Sequence, residues 1–175
     1  VSPDDKNRCL KVIRKSIKEN LKKDAPWYKT LKSESNFDDN LREERAYKQK
    51  ALKVSHESCV WDHLAKWYGM KKTNLGLASE TELIRNNGEI AETLENYLFR
   101  EGLTDDITQS IKLFEEWLRK HLVLTKNIIP HNIVLKKVNG LIMLKIIDGL
   151  GCKSLVPLPK YSKFFARIYS IRNYL

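Results

Sequence analysis

Four polar residues stand where the surrounding sequence is apolar, and their types suit phosphate and metal chemistry. Lys11 interrupts the β-compatible run Cys9-Leu-Lys-Val-Ile13. A buried charge without a partner is costly, so this ammonium needs a carboxylate nearby. Glu44 is the odd member of the stripe Leu41, Glu44, Tyr47 and Leu52. Steps of three and four residues bring that stripe to one helix face. On this phase Glu43 points elsewhere, and Glu44 is the expected partner of Lys11. Further on, Asn132 and Asp148 stand at the outer ends of two apolar arms. An amide oxygen and a carboxylate are hard ligands suited to Mg2+. The plainer alternative is that both are strand-end turn formers.

The elements that must hold these residues can be read around them. Residues 8–14 form a short strand. Asp38 or Asp39 caps a helix reaching about Lys53, and 61–68 is aromatic-rich and fits either helix or strand. Residues 75–84 read as a strand, 85–89 as a turn or hinge, and Thr93 to Phe99 as a short helix. Thr104-Asp-Asp106 caps a longer helix with Ile107, Ile111, Phe114, Leu118 and His121 on one face. Asn139-Gly140 between β-rich arms is a strong hairpin signal, because both residues accept positive φ. A two-residue loop sets Val138 opposite Leu141 and residue 132 opposite 147, beside Asp148.

A strand Lys, a helix Glu, and later an Asn and an Asp follow the order of parts in protein kinases. The chain resembles them further. Thr125-Lys-Asn-Ile-Ile-Pro-His-Asn-Ile-Val134 looks like a degenerate catalytic loop, and Ile147-Asp-Gly-Leu-Gly151 stands where the metal-binding Asp motif belongs. The combination "NRCLKV", "TELIRNNGEI…TLENYL", "PHNIV" and "IIDGLG…SLVPL" resembles the bacterial PhoP regulatory network (YrbL-type) proteins, a small kinase-like family.

That resemblance implies one α+β domain with a reduced, two-lobed kinase-like fold. The small lobe would be roughly 1–83, the hinge 84–90 and a reduced helical lobe 91–175. ATP would lie in the cleft, with the Glu82 to Ile84 backbone facing the base and Lys11, oriented by Glu44, on the phosphates. Asn132 and Asp148 would hold Mg2+. The chain departs from kinases at the catalytic position, where Asn127 replaces the Asp that accepts the substrate proton. The loop's one histidine, His131, stands four residues on. The ten residues before Lys11 hold no Gly-rich phosphate loop or β-hairpin, as expected either of a shortened chain or of a protein that has lost it.

Composition narrows the partners. The net charge of +10 over 175 residues suits an anionic partner, although a solvated Lys-rich surface is the plainer account of it. Residues 161–174 interleave Lys163, Arg167 and Arg172 with aromatics. That pattern suits nucleic acid or a membrane surface, but also an amphipathic helix closing a core, so nucleic acid is the weaker expectation. Three scattered cysteines argue against a disulfide framework, and a cytoplasmic setting is expected. No apolar run reaches the length of a membrane helix. The N-terminus is no signal peptide, and its lack of an initiator Met fits a fragment. The expected functions are an atypical, slow phosphotransferase or a pseudokinase. Either would work with a regulatory protein or an unidentified phosphate acceptor.

Overall fold

In the computed structural model, residues 1–13, 39–53, 58–126 and 128–151 are described. Asn127, the Pro26-Trp-Tyr28 stretch and the basic aromatic segment 161–174 lie outside them.

The architecture is α+β. In chain order the elements are β1 (Arg8–Val12), α1 (Asp39–Tyr47), α2 (Lys50–Lys53), a 3-10 turn (Ser58–Trp61), β2 (Trp67–Thr73), β3 (Gly76–Glu82), β4 (Arg85–Asn86) and β5 (Glu89–Ile90). Then come α3 (Leu94–Glu101), α4 (Asp105–His121), a second 3-10 turn (Pro130–Asn132), β6 (Ile133–Val138) and β7 (Leu141–Ile146). The ambiguous stretch 61–68 thus divides between the end of a 3-10 turn and the start of a strand.

β1, β3 and β2 form an antiparallel sheet in that order, with Lys11 opposite Ser79. β4 and β5 make a two-residue ladder around Asn87-Gly88, both at positive φ. The expected hinge is therefore a miniature hairpin. β6 and β7 pair from Val138–Leu141 to Ile133–Ile146, the register set by the Asn139-Gly140 turn. Asn139 has φ 50° and Gly140 φ 81°, as a two-residue hairpin loop of this kind demands.

Helix α4 begins at the anticipated cap, and α3 begins one residue after Thr93, which caps it. Thr93 and Thr104 each accept a hydrogen bond from a backbone N–H in the first turn of α3 and α4, satisfying a donor the helix leaves open. Ile107, Phe114, Trp117 and Leu118 of α4 pack against Leu64, Val60 and the hairpin residues Leu135, Leu144 and Ile146. This core joins the sheet-side segment 58–65 to β6 and β7. The join is also made by main chain: the Ala65 N–H donates to Ile146 O, and the Ile146 N–H to His63 O, both at 2.9 Å.

Candidate functional site

Lys11 reaches helix α1, but its partner is Glu43, not Glu44. The Lys11 Nζ lies 2.7 Å from Glu43 Oε1. Glu44 instead pairs with Lys48, one turn along the outer face. The cause is the phase of α1. Asn40 is buried, and its amide nitrogen donates to Lys11 O at 2.8 Å and Leu77 O at 3.2 Å. These bonds fasten the first turn of α1 across β1 and β3. The inward stripe is therefore Asn40, Glu43, Ala46 and Tyr47, whereas Leu41 is only half-buried. A helix turns about 100° per residue, so an error of one position moves a side chain to another face. The apolar Leu41 suggested the wrong phase, and a buried amide sets the right one.

The expectation for the hairpin mouth holds in its main chain. The Ile147 N–H donates to Asn132 O at 2.9 Å, so residue 132 lies opposite 147 and next to Asp148 in the ladder. Lys11 also comes to this place. Its Nζ donates to Ile147 O at 2.9 Å and lies 3.7 Å from Asp148 Oδ2. The helix carboxylate and the post-hairpin Asp thus share the one ammonium of the strand Lys. Asp148 is the open member, with its side chain 58% exposed, against 28% for Lys11 and 11% for Glu43. Its other oxygen accepts the Gly149 N–H at 2.6 Å, at a turn where Gly149 has φ 88°.

Among the described residues no three His, Cys, Asp or Glu side chains gather as a metal cage. The exposed Asp148 carboxylate, with the main chain of residue 132 next to it in the ladder, is a sparse donor set. It suits Mg2+, which keeps waters and takes phosphate oxygens, better than an ion held by protein alone. The segment leading to Asn127 is zipped to the glycines after Asp148. The Lys126 N–H donates to Gly149 O at 2.6 Å, and the Gly151 N–H to Leu124 O at 3.0 Å. His131 faces outward, with Nδ1 3.8 Å from Glu95 Oε1 on α3.

Residues 82–84 leave β3 beside a small apolar group of Ala65, Ile84, Ala91 and Val134, with Ile147 against it. Several of their polar groups are held by protein partners. The Glu82 N–H donates to Lys66 O, the Leu83 N–H to Asn7 O, and Ile84 O accepts the Ala91 N–H. A ligand at this edge would have to use the remaining groups.

Sequence reasoning missed Lys145. It lies on β7 with its side chain 11% exposed. Its Nζ donates to Trp61 O at 3.2 Å and Leu64 O at 3.5 Å, and lies 3.6 Å from Glu82 Oε2. Burial pushes this ammonium down from its ordinary pKa, and Glu82 opposes the shift. The signal was present: Lys145 interrupts Met143-Leu-Lys-Ile146 as Lys11 interrupts its own strand. Nearby, burial also lowers the pKa of His63, whose Nδ1 sits 2.7 Å from Leu144 O.

No helix among the described residues is long and apolar enough to cross a membrane. Residues 1–175 match a family model described as PhoP regulatory network protein YrbL. No curated protein matches the chain.

Proposed function

For a chain that belongs to the PhoP regulatory network protein YrbL family, we propose nucleotide binding in the manner of a protein kinase, with ATP and Mg2+ as the ligands. The observation that carries this reading is the shared ammonium of Lys11, 2.7 Å from Glu43 and 3.7 Å from Asp148. In kinases a strand Lys holds phosphates, a helix Glu orients it, and an Asn and an Asp hold the metal. The order β1, α1, β2, β3, followed later by the Asn132 and Asp148 hairpin, supports the same two-lobed plan.

On this reading Lys11 binds the phosphates and Glu43, not Glu44, keeps it extended. The backbone between Glu82 and Ile84 would face the base. Asn132 and Asp148 would hold Mg2+, which when bound neutralises phosphate charge. Lys11 then exchanges its contacts with Ile147 O and Asp148 for phosphate oxygens. Asn127 can orient a substrate hydroxyl but cannot take its proton. General-base help is worth about 10²–10⁴ in rate, so any transfer is slow. The family's description as a regulatory network protein favours a second reading, a pseudokinase module that binds nucleotide and signals to a regulatory partner without catalysis.

A thermal shift with ATP and Mg2+ tests both. Ligand at a hundredfold excess over Kd stabilises the folded state by about 2.7 kcal/mol. Asp148→Ala should abolish the shift. Absence of any shift in the wild type at millimolar ATP sinks nucleotide binding. Radiolabel transfer from ATP then separates the two readings: a slow transfer that Asn127→Asp accelerates marks the enzyme, and binding without transfer in either protein marks the module.

A further inference from the structure

Lys145 is not on the phosphate side of the site, yet it ties together the two ends that a nucleotide would span. It lies on β7 three positions before Asp148, and its ammonium reaches across the 61–66 segment to Glu82 at the end of β3. Two of its contacts, the carbonyls of Trp61 and Leu64, seat it on the main chain. The third, Glu82 Oε2, also accepts the Lys66 N–H at 3.1 Å, while the Glu82 N–H returns to Lys66 O at 2.8 Å. The Glu82 carboxylate is thus held from two sides, and its own peptide is pinned to the residue just before β2. Immediately after it, Leu83 is tied to Asn7 and Ile84 to Ala91.

From this geometry we infer that Lys145 is a positioning residue for the base end of the site, fixing the 82–84 backbone relative to the strand that carries Asp148. The inference rests on the proposed nucleotide-binding function and assigns Lys145 no contact with phosphate or metal. Its consequence is selective. Releasing Glu82 should loosen recognition of the base and leave recognition of a bare polyphosphate intact.

The experiment measures the affinity of the full chain for ATP and for inorganic tripolyphosphate, each with Mg2+, by titration calorimetry. Lys145→Met keeps the length and apolar stem of the side chain. Replacing a buried ion-pair member with a packed apolar group is tolerated best when the other member can still reach water, and Glu82 is 27% exposed. The expected result is about a tenfold loss for ATP, equivalent to about 1.4 kcal/mol, with tripolyphosphate unchanged. Equal losses for both ligands would reduce Lys145 to a structural residue and overturn the inference. So would no loss for either, or a wild type that binds ATP no better than tripolyphosphate.

If Lys145→Met fails to fold, Glu82→Gln answers the same question. It keeps an oxygen for the Lys66 N–H and removes the charge Lys145 meets. It should reproduce the loss for ATP, and retained ATP affinity would overturn the inference. A wild type that binds neither ligand sinks the proposed function itself, and the role of Lys145 falls with it.

Discussion

Lys11 and Lys145 begin from the same pattern, a Leu-Lys step inside an apolar strand, and end in opposite environments. Lys11 lies at an open edge, where one of its partners is the exposed Asp148 and another the side chain of Glu43. Lys145 lies in a closed seam, held chiefly by the main-chain carbonyls of Trp61 and Leu64. Side-chain partners beside water can be exchanged for a ligand, whereas carbonyls fixed within a core cannot move without disturbing the fold. The difference teaches that a lysine in an apolar strand is no functional signal by itself. What its ammonium can trade away decides whether it binds something or braces something.

The largest expected effect comes from breaking the seam. Leu64 is fully buried between the 58–65 segment and β7, and it bridges directly to Ile146. Leu64→Ala should cost roughly 2–5 kcal/mol, the transfer loss plus the cavity it leaves. Chemical denaturation should show a lower midpoint with an unchanged slope. A loss below about 1 kcal/mol would mean that the site closes up on itself, against the range such cavities show, and the seam would not be the brace described here.

The open edge should respond more weakly and more specifically. A double-mutant cycle on Lys11→Met and Glu43→Gln should give a coupling of about 0.5–1.5 kcal/mol, in the lower part of the range for contacting residues because Lys11 is partly solvated. The same cycle with Glu44→Gln should be additive within about 0.5 kcal/mol. Coupling to Glu44 in place of Glu43 would reverse the assignment.

This pair also marks how far the sequence could be read. The Asn139-Gly140 hairpin, its register, the start of a helix near Thr93 and the cap at Thr104 were legible because each rests on a local rule: positive φ, a fixed two-residue loop, or a hydroxyl at a helix start. Lys11, Asn132 and Asp148 were legible as polar exceptions to apolar patterns, and the structure brings the backbone at 132 and the side chain of Asp148 to the region of Lys11. Glu43 was not, because the phase of α1 depends on Asn40 reaching carbonyls on β1 and β3, contacts made only after folding. Nor was the holding of residues 82–84 by Asn7, Lys66 and Lys145, which are distant in sequence. The kinase-like assignment of Asn127 concerns a residue outside those described.

The seam should also be the more pH-sensitive region. His63 packs with tilted rings against Phe114 and Trp117, and its Nδ1–H donates to Leu144 O in the neutral ring. Burial disfavours the charged form and dominates, the hydrogen bond to Leu144 O and the charge of Asp62 oppose it, and Lys145 and His121 add to it, so the folded pKa is lowered. The unfolded chain, titrating near 6.5, then binds more protons than the folded one at mildly acid pH. Stability associated with His63 is therefore present above about pH 6.5 and is lost as pH falls from there towards the folded pKa. His63→Asn, whose amide can still donate to Leu144 O, should flatten that part of the curve relative to wild type. Melting temperatures between pH 5 and 8 would show it, with a His121→Gln variant separating the neighbouring ring. An unchanged acid limb in His63→Asn would place the sensitivity elsewhere.

The smallest effect belongs to Glu44, and its smallness is informative. Glu44 and Lys48 form an i, i+4 pair on the outer face of α1, with the lysine more than half exposed. Such pairs contribute about 0.3–0.5 kcal/mol and are screened by salt. Glu44→Gln should therefore cost no more than this, and the cost should vanish at high ionic strength. It should also leave the stabilisation proposed for ATP and Mg2+ unchanged, while Glu43→Gln should diminish it by freeing Lys11 from its orienting carboxylate. The two residues are adjacent and chemically identical, so composition, helix propensity and net charge are matched between the variants. Only the direction each side chain takes from the helix differs. If Glu44→Gln were the variant that weakened the ligand response, α1 would have to be rotated by a residue, Asn40 would leave its carbonyls, and the contrast between an exchangeable edge and a fixed seam would lose its structural footing.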